Sequence, residues 1–166
     1  MSTFTPDNIK KWALLFCDSI STQLKTNIAF KNGLKKEMKY HDFTQYSANK
    51  TFVILCENVK QKQPVIITLN YTCITQTTQA FFSNEIIPVE KSTLSTVETF
   101  FATTLSKYAI QSFENIGFPI QFIRNELALN LVHPFHDEEP ITTYQYEWMN
   151  NNHSSGVLSI CLSHDL

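Results

Sequence analysis

Two short runs constrain the fold more than anything else in this chain. Thr51-Phe52-Val53-Ile54-Leu55-Cys56 and Pro64-Val65-Ile66-Ile67-Thr68-Leu69-Asn70 are apolar and rich in β-branched residues, and the polar stretch Glu57–Gln63 separates them. Branching at Cβ suits a pleated surface, so the runs are predicted to be two neighbouring antiparallel strands joined by a turn. They should be the best-buried strands of the first half, and the fold must be built on a sheet.

Around them the apolar spacing turns helical. Ile9, Trp12, Ala13, Phe16, Ile20 and Leu24 recur at three- and four-residue steps after Pro6-Asp7, which predicts a first helix over about Asp7–Phe30. Asn32-Gly33 reads as its stop, followed by an exposed strand near Leu34–His41. Ile74, Thr77, Thr78, Phe81 and Phe82 predict a helix over Tyr71–Phe82, although its threonines are poor helix formers. Ser95-Thr96-Val97-Glu98 is a capping box and opens a long helix to about Asn115, which Gly117 and Pro119 end. Its expected apolar face is Val97, Phe100, Phe101, Thr104, Leu105, Tyr108, Ala109 and Phe113. Three strands should follow: Ile120–Val132 in one or two pieces, Ile141–Met149 and Val157–Leu162, the last two joined through Asn150–Gly156.

The elements repeat in order without a sequence repeat, and no Pro-, Gly- or Ser-rich linker divides them. The expected fold class is therefore α/β: two pseudo-symmetric halves, with long helices packed as a pair on a largely antiparallel central sheet. At 166 residues with 43% hydrophobic side chains, residues 1–166 should form a single domain with an ample core. The N-terminus lacks a signal pattern and no run is long enough to span a membrane, so a cytoplasmic protein is expected.

The same composition removes whole classes of chemistry. A net charge of −2 gives no general positive field for nucleic acid. Only Gly33, Gly117 and Gly156 occur, so glycine-rich phosphate loops are absent, and nucleotide-dependent enzymes recede with them. Cys17, Cys56, Cys73 and Cys161 stand far apart and read as reduced, mostly buried thiols. His133-Pro134-Phe135-His136-Asp137-Glu138-Glu139 is the densest polar cluster. Pro134 and Pro140 keep it off a helix, so it lacks the facing histidines of a preorganised metal site and reads as a solvated connection. No cofactor, metal or catalytic residue is expected. Lys31, Lys35, Lys36 and Lys39 fit the lysine guard of an exposed edge strand better than an anion-binding patch. Of the pairs Phe81-Phe82 and Phe100-Phe101, one member each is expected to meet a partner.

Three stretches carry a family resemblance. They are Tyr40-His41-Asp42-Phe43-Thr44-Gln45-Tyr46 with the strand after it, Leu94-Ser95-Thr96-Val97-Glu98, and Gly156-Val157-Leu158-Ser159-Ile160-Cys161-Leu162. In order and spacing, from about Ile9 to Leu166, the chain resembles the middle domain of the flagellar motor switch protein FliM, within the group that includes the CheC and CheX phosphatases. The resemblance implies a CheC-like fold and a non-enzymatic scaffold or adaptor of a flagellar switch ring, or of a related type III secretion ring. Implied partners are FliG-like rotor or SpoA-domain ring subunits and a response regulator, with no nucleic acid and no membrane insertion. Implied location is the cytoplasm, peripheral to the inner membrane as part of a ring, and no SpoA-type C-terminal domain is expected here.

Two departures qualify what the resemblance implies. Where the family has a Gly-Gly-x-Gly loop that contacts the rotor, this chain has Phe82, Ser83, Asn84 and Glu85, the expected partner-binding residues. The phosphatase branch pairs Glu and Asn three residues apart on its long helices. Here Gln23 and Thr26 stand on the first, and Glu98 is followed by Phe101 on the second, so a phosphatase acting on a phosphorylated response regulator is the alternative reading. A small hydrolase built on His133–Glu139 comes third.

Overall fold

The computed structural model describes residues 4–47, 50–83 and 93–164. Its elements run α1 (Pro6–Gln23), β1 (Ile28–Lys39), α2 (Tyr40–Ser47), β2 (Thr51–Asn58), β3 (Pro64–Asn70), α3 (Tyr71–Ser83), α4 (Thr96–Asn115), β4 (Ile120–Glu126), a 3-10 turn (Leu129–Leu131), β5 (Pro140–Asn150) and β6 (His153–Ser163). The six strands form one sheet in the order β1-β5-β6-β3-β2-β4, and every neighbouring pair is antiparallel. Exchanging β1 with β4, β2 with β5 and β3 with β6 reproduces that order in reverse. The halves are thus topologically symmetric about the central β3–β6 pair.

Alternation along each strand sends side chains to two separate cores. On one face Phe52, Ile54, Val65, Ile67, Leu158 and Ile160 lie under α1, α3 and α4. On the other, Val53, Leu55, Ile66 and Cys161 lie under Tyr40 and Phe43 of α2 and under Leu129, Val132 and Phe135. Covering both faces requires continuous apolar runs in the central strands, which is why Thr51–Cys56 and Pro64–Asn70 read as they do. The long helices do pair: the Trp12 indole donates to the Ala109 carbonyl (2.9 Å) and stacks on Phe113 at 4.7 Å between centroids.

Several expected boundaries are corrected. The first helix stops at Gln23 instead of Phe30, because Lys25 takes a left-handed φ of 51° and Ile28-Ala29-Phe30 pair with Asn150-Met149-Trp148 as the start of β1. Asn32-Gly33 is therefore not a helix stop but a bulge inside β1. A Cβ at position 33 would stand 2.7 Å from the Tyr146 ring, so glycine is required there by close approach. Tyr40 and His41 open α2, which the sequence reading left out of its elements; burial of Tyr40 and Phe43 at helical spacing drives it. The second piece of Ile120–Val132 is a 3-10 turn that drops Leu129 and Val132 into the second core. The β5–β6 turn is only Asn151-Asn152, both with positive φ (48° and 68°), the tight hairpin that asparagine tolerates. Asn150 and His153–Gly156 belong to the strands.

Candidate functional site

The capping box of α4 forms as the sequence predicts, and it does more than cap. Glu98, buried, accepts from the Ser95 amide (3.0 Å) while its own amide donates to Ser95 Oγ (3.2 Å). Its second carboxylate oxygen accepts from the Thr75 hydroxyl of α3. One carboxylate therefore fixes the first turn of α4 against α3. Within α3, Thr77 and Thr78 donate to the carbonyls of Cys73 and Ile74 (both 2.7 Å), which lets a threonine-rich helix be buried without orphaned hydroxyls.

That junction presents four phenylalanines. Phe101 is buried, and around it stand Phe81 (5.1 Å between centroids), Phe82 (5.8 Å) and Phe100 (6.3 Å). Phe81, Phe82 and Phe100 are 45%, 66% and 69% exposed. With Val97, Leu24, Thr96 and Thr104 they line a groove of about 370 Å³ that carries no charged side chain. Three exposed rings on one buried ring form a contiguous apolar patch of the kind that marks a protein contact. Thr104, Tyr108 and the outer residues Val97 and Phe100 leave the expected apolar face of α4; the buried stripe is Phe101, Ala102, Leu105, Ala109 and Phe113. The rule of one exposed member holds for Phe100-Phe101 and fails for Phe81-Phe82, where both are exposed.

Of the expected partner-binding residues, Phe82 and Ser83 occupy the last turn of α3, with Ser83 Oγ donating to the Gln79 carbonyl (3.1 Å). Asn84 and Glu85 lie outside the described residues. Sequence reasoning missed Phe81, Val97 and Phe100 as one surface, because only the α3–α4 packing brings positions 81 and 100 together.

The His133–Glu139 segment is anchored through its backbone. The amides of Tyr40 and His41 donate to the carbonyls of Glu139 and Asp137 (both 2.9 Å), satisfying the start of α2, and Phe135 is buried in the second core. His133 and His136 are exposed, and among the described residues no three metal-ligating side chains converge. Lys39 pairs with Glu138 at 2.6 Å on the surface, raising the lysine pKa and lowering that of the glutamate.

The phosphatase positions behave differently from the family pair. Thr26 lies beyond α1 with its hydroxyl buried, and Glu98 is consumed by the capping box, so neither can reach a phosphoryl group. Yet α4 does carry an exposed amide and acid three residues apart. Gln111 and Glu114 line a groove with Lys107, Phe122 and Asn125, where the sequence reading expected no such pair.

The cysteines are free: Cys56, Cys73 and Cys161 are buried, and Cys17 is half-buried with its thiol donating to the Ile28 carbonyl (2.8 Å). No helix among the described residues is long and apolar enough to cross a membrane.

No protein-family model matches the chain, and no curated protein does. Solved structures do. The FliM middle domain from Vibrio alginolyticus superposes with a TM-score of 0.79 at 12% identity, over 95% of this chain and 91% of that one. A chain of the FliG–FliM complex from H. pylori gives 0.79 at 13% identity, over 96% and 94%. The chemotaxis protein CheX from Vibrio vulnificus gives 0.53 at 9%, over 98% and 99%. At these identities the likeness is one of fold, and it is the fold that the three sequence stretches resembled.

Proposed function

We propose that this chain, which has the fold shared by FliM middle domains and CheX, is a non-enzymatic scaffold subunit of a flagellar switch ring, in the cytoplasm, with residues 1–166 acting as one domain. The observation that carries this reading is the uncharged phenylalanine patch at the α3–α4 junction, held in place by Glu98. It supports a protein contact, and it adjoins the Phe82–Glu85 segment that stands where the family carries its rotor-contacting glycines. A FliG-like rotor subunit is the partner we assign to it.

The test is calorimetric titration against the rotor subunit of the same organism. Binding should weaken about tenfold or more for Phe82→Ala with Phe100→Ala, since exposed aromatic anchors dominate such contacts. Ser83→Gly with Asn84→Gly should strengthen it by restoring close backbone approach. No binding by the parent chain would overturn the reading.

Gln111 and Glu114 favour a second reading, a phosphatase of a phosphorylated response regulator, in which the amide orients water and the acid interacts with the regulator. Dephosphorylation sped tenfold by the parent and lost in Glu114→Gln would establish it and displace the scaffold.

A further inference from the structure

Charge is distributed very unevenly along this chain. Residues 1–39 carry seven lysines against three acids, whereas the remainder carries six basic side chains against twelve acids. The fold gathers the positive part at one end of the sheet, since residues 1–39 comprise α1 and β1 and β1 is an edge strand. Between them runs a groove of about 570 Å³, the largest of the molecule's described grooves. Its walls are Ala13, Leu14, Phe30 and Leu34, its floor includes Tyr144 and Tyr146, and Lys10 and Lys35 stand in its lining. Leu14 and Leu34 are 59% and 48% exposed, and no ion pair among the described residues holds Lys10, Lys31 or Lys35.

We propose that the α1–β1 groove binds an extended, acidic segment of a protein partner, which adds to the free edge of β1 as a further strand. Three physical features select that occupant. An edge strand offers unpaired amides and carbonyls along one side, so an extended chain can be held by its backbone whatever its sequence. Alternate side chains of such a strand would fall against Ala13, Leu14 and Phe30, which favours apolar residues at every second position. The intervening and flanking side chains would face Lys10, Lys31 and Lys35, which favours Asp and Glu. The same lysines oppose a second copy of β1, because pairing two such edges would set lysine against lysine. At Ile28 the edge is already occupied: its amide and carbonyl bond Ser21 Oγ (both 3.3 Å) and the carbonyl also accepts from Cys17 Sγ. The available edge is therefore the stretch beyond the bulge, Leu34–Lys39.

The experiment uses the whole chain and two synthetic peptides of about a dozen residues, one alternating Val with Glu and one alternating Val with Lys. The acidic peptide should bind, with affinity falling as salt rises, and should slow amide hydrogen exchange within Leu34–Lys39. Lys10→Glu with Lys35→Glu should cut its affinity about tenfold or more and confer binding of the basic peptide, a reversal that unfolding could not produce. Leu14→Asp, an exposed helix position, should weaken binding of the acidic peptide while leaving the melting midpoint in place. None of these changes touches the phenylalanine patch, so the rotor contact is tested separately. The proposal is overturned if the parent binds both peptides equally or neither. It is also overturned if protection appears only with vesicles containing phosphatidylglycerol, or if concentration-dependent self-association protects the same amides.

Discussion

Phe100 and Phe101 are neighbours in sequence with opposite duties. Phe101 is buried beneath three rings, whereas Phe100 stands 69% exposed on the outside of the same turn. Phe101→Ala should cost about 3–5 kcal/mol through lost burial and the cavity left behind. At roughly 2–4 °C per kcal/mol for a chain of this size, the melting midpoint should fall by many degrees. Phe100→Ala should change stability by no more than about 0.5 kcal/mol. A neutral Phe101→Ala would place its ring outside the core. The buried thiols make a second prediction. Burial pushes Cys56 from its ordinary 9.0 up to about 12, and raises Cys73 and Cys161 as well. In the unfolded chain these thiols ionise near 9.0, while in the fold they stay protonated. Their contribution is complete below that pH and is lost as pH rises from there toward 12, so stability falls with alkalinity. Urea melts at neutral and alkaline pH should show this fall, and Cys56→Ala with Cys161→Ala should flatten it.

The connection before β5 behaves as an element with an inside and an outside, despite having no regular structure. Its backbone carbonyls receive the amides at the start of α2, and Phe135 fills the second core beside Tyr40 at 5.4 Å between centroids. The histidines on either side of Phe135 face outward. Replacing His133 and His136 with Ala should therefore leave the melting midpoint unchanged with or without zinc. A midpoint that zinc raises in the parent and not in the variant would reveal a metal bound to the folded state. Phe135→Ala, by contrast, should destabilise by about 3–5 kcal/mol. The segment is solvated in its charged side chains and structural in its backbone, a division that residue types alone did not show.

Across the molecule, the strand order couples the two halves more tightly than their sequence order suggests. β5 and β6 stand between β1 and β3, so neither half possesses a sheet of its own. Both tryptophans lie in the helix-side core, Trp12 on α1 and Trp148 on β5, and both are buried. Tryptophan fluorescence and far-ultraviolet dichroism should consequently report one coincident unfolding transition. Two separated transitions would mean that the halves fold independently, against the reading of residues 1–166 as one domain. The symmetry also gives each long helix an edge strand as neighbour, α1 with β1 and α4 with β4. Their grooves differ in chemistry: lysines and aliphatics line the first, and an amide, an acid and one lysine line the second.

Local patterns sufficed wherever the physics is local. The strands Thr51–Asn58 and Pro64–Asn70 follow from β-branched runs, the start of α4 from Ser95 and Glu98, and its end from Gly117, whose φ is 80°. The antiparallel, two-half architecture followed from the order of such elements. Where a residue's state depends on what is packed against it from afar, the chain read alone was insufficient. Ile28–Phe30 continue the spacing of α1, yet pairing with β5 from more than a hundred residues away makes them a strand. Tyr40 and Phe43 form a helix because a second core awaits them under Leu129 and Val132. Phe81, Phe82 and Phe100 become one surface only when α3 meets α4, since exposure belongs to the packed assembly of elements and not to any side chain's own preference for water.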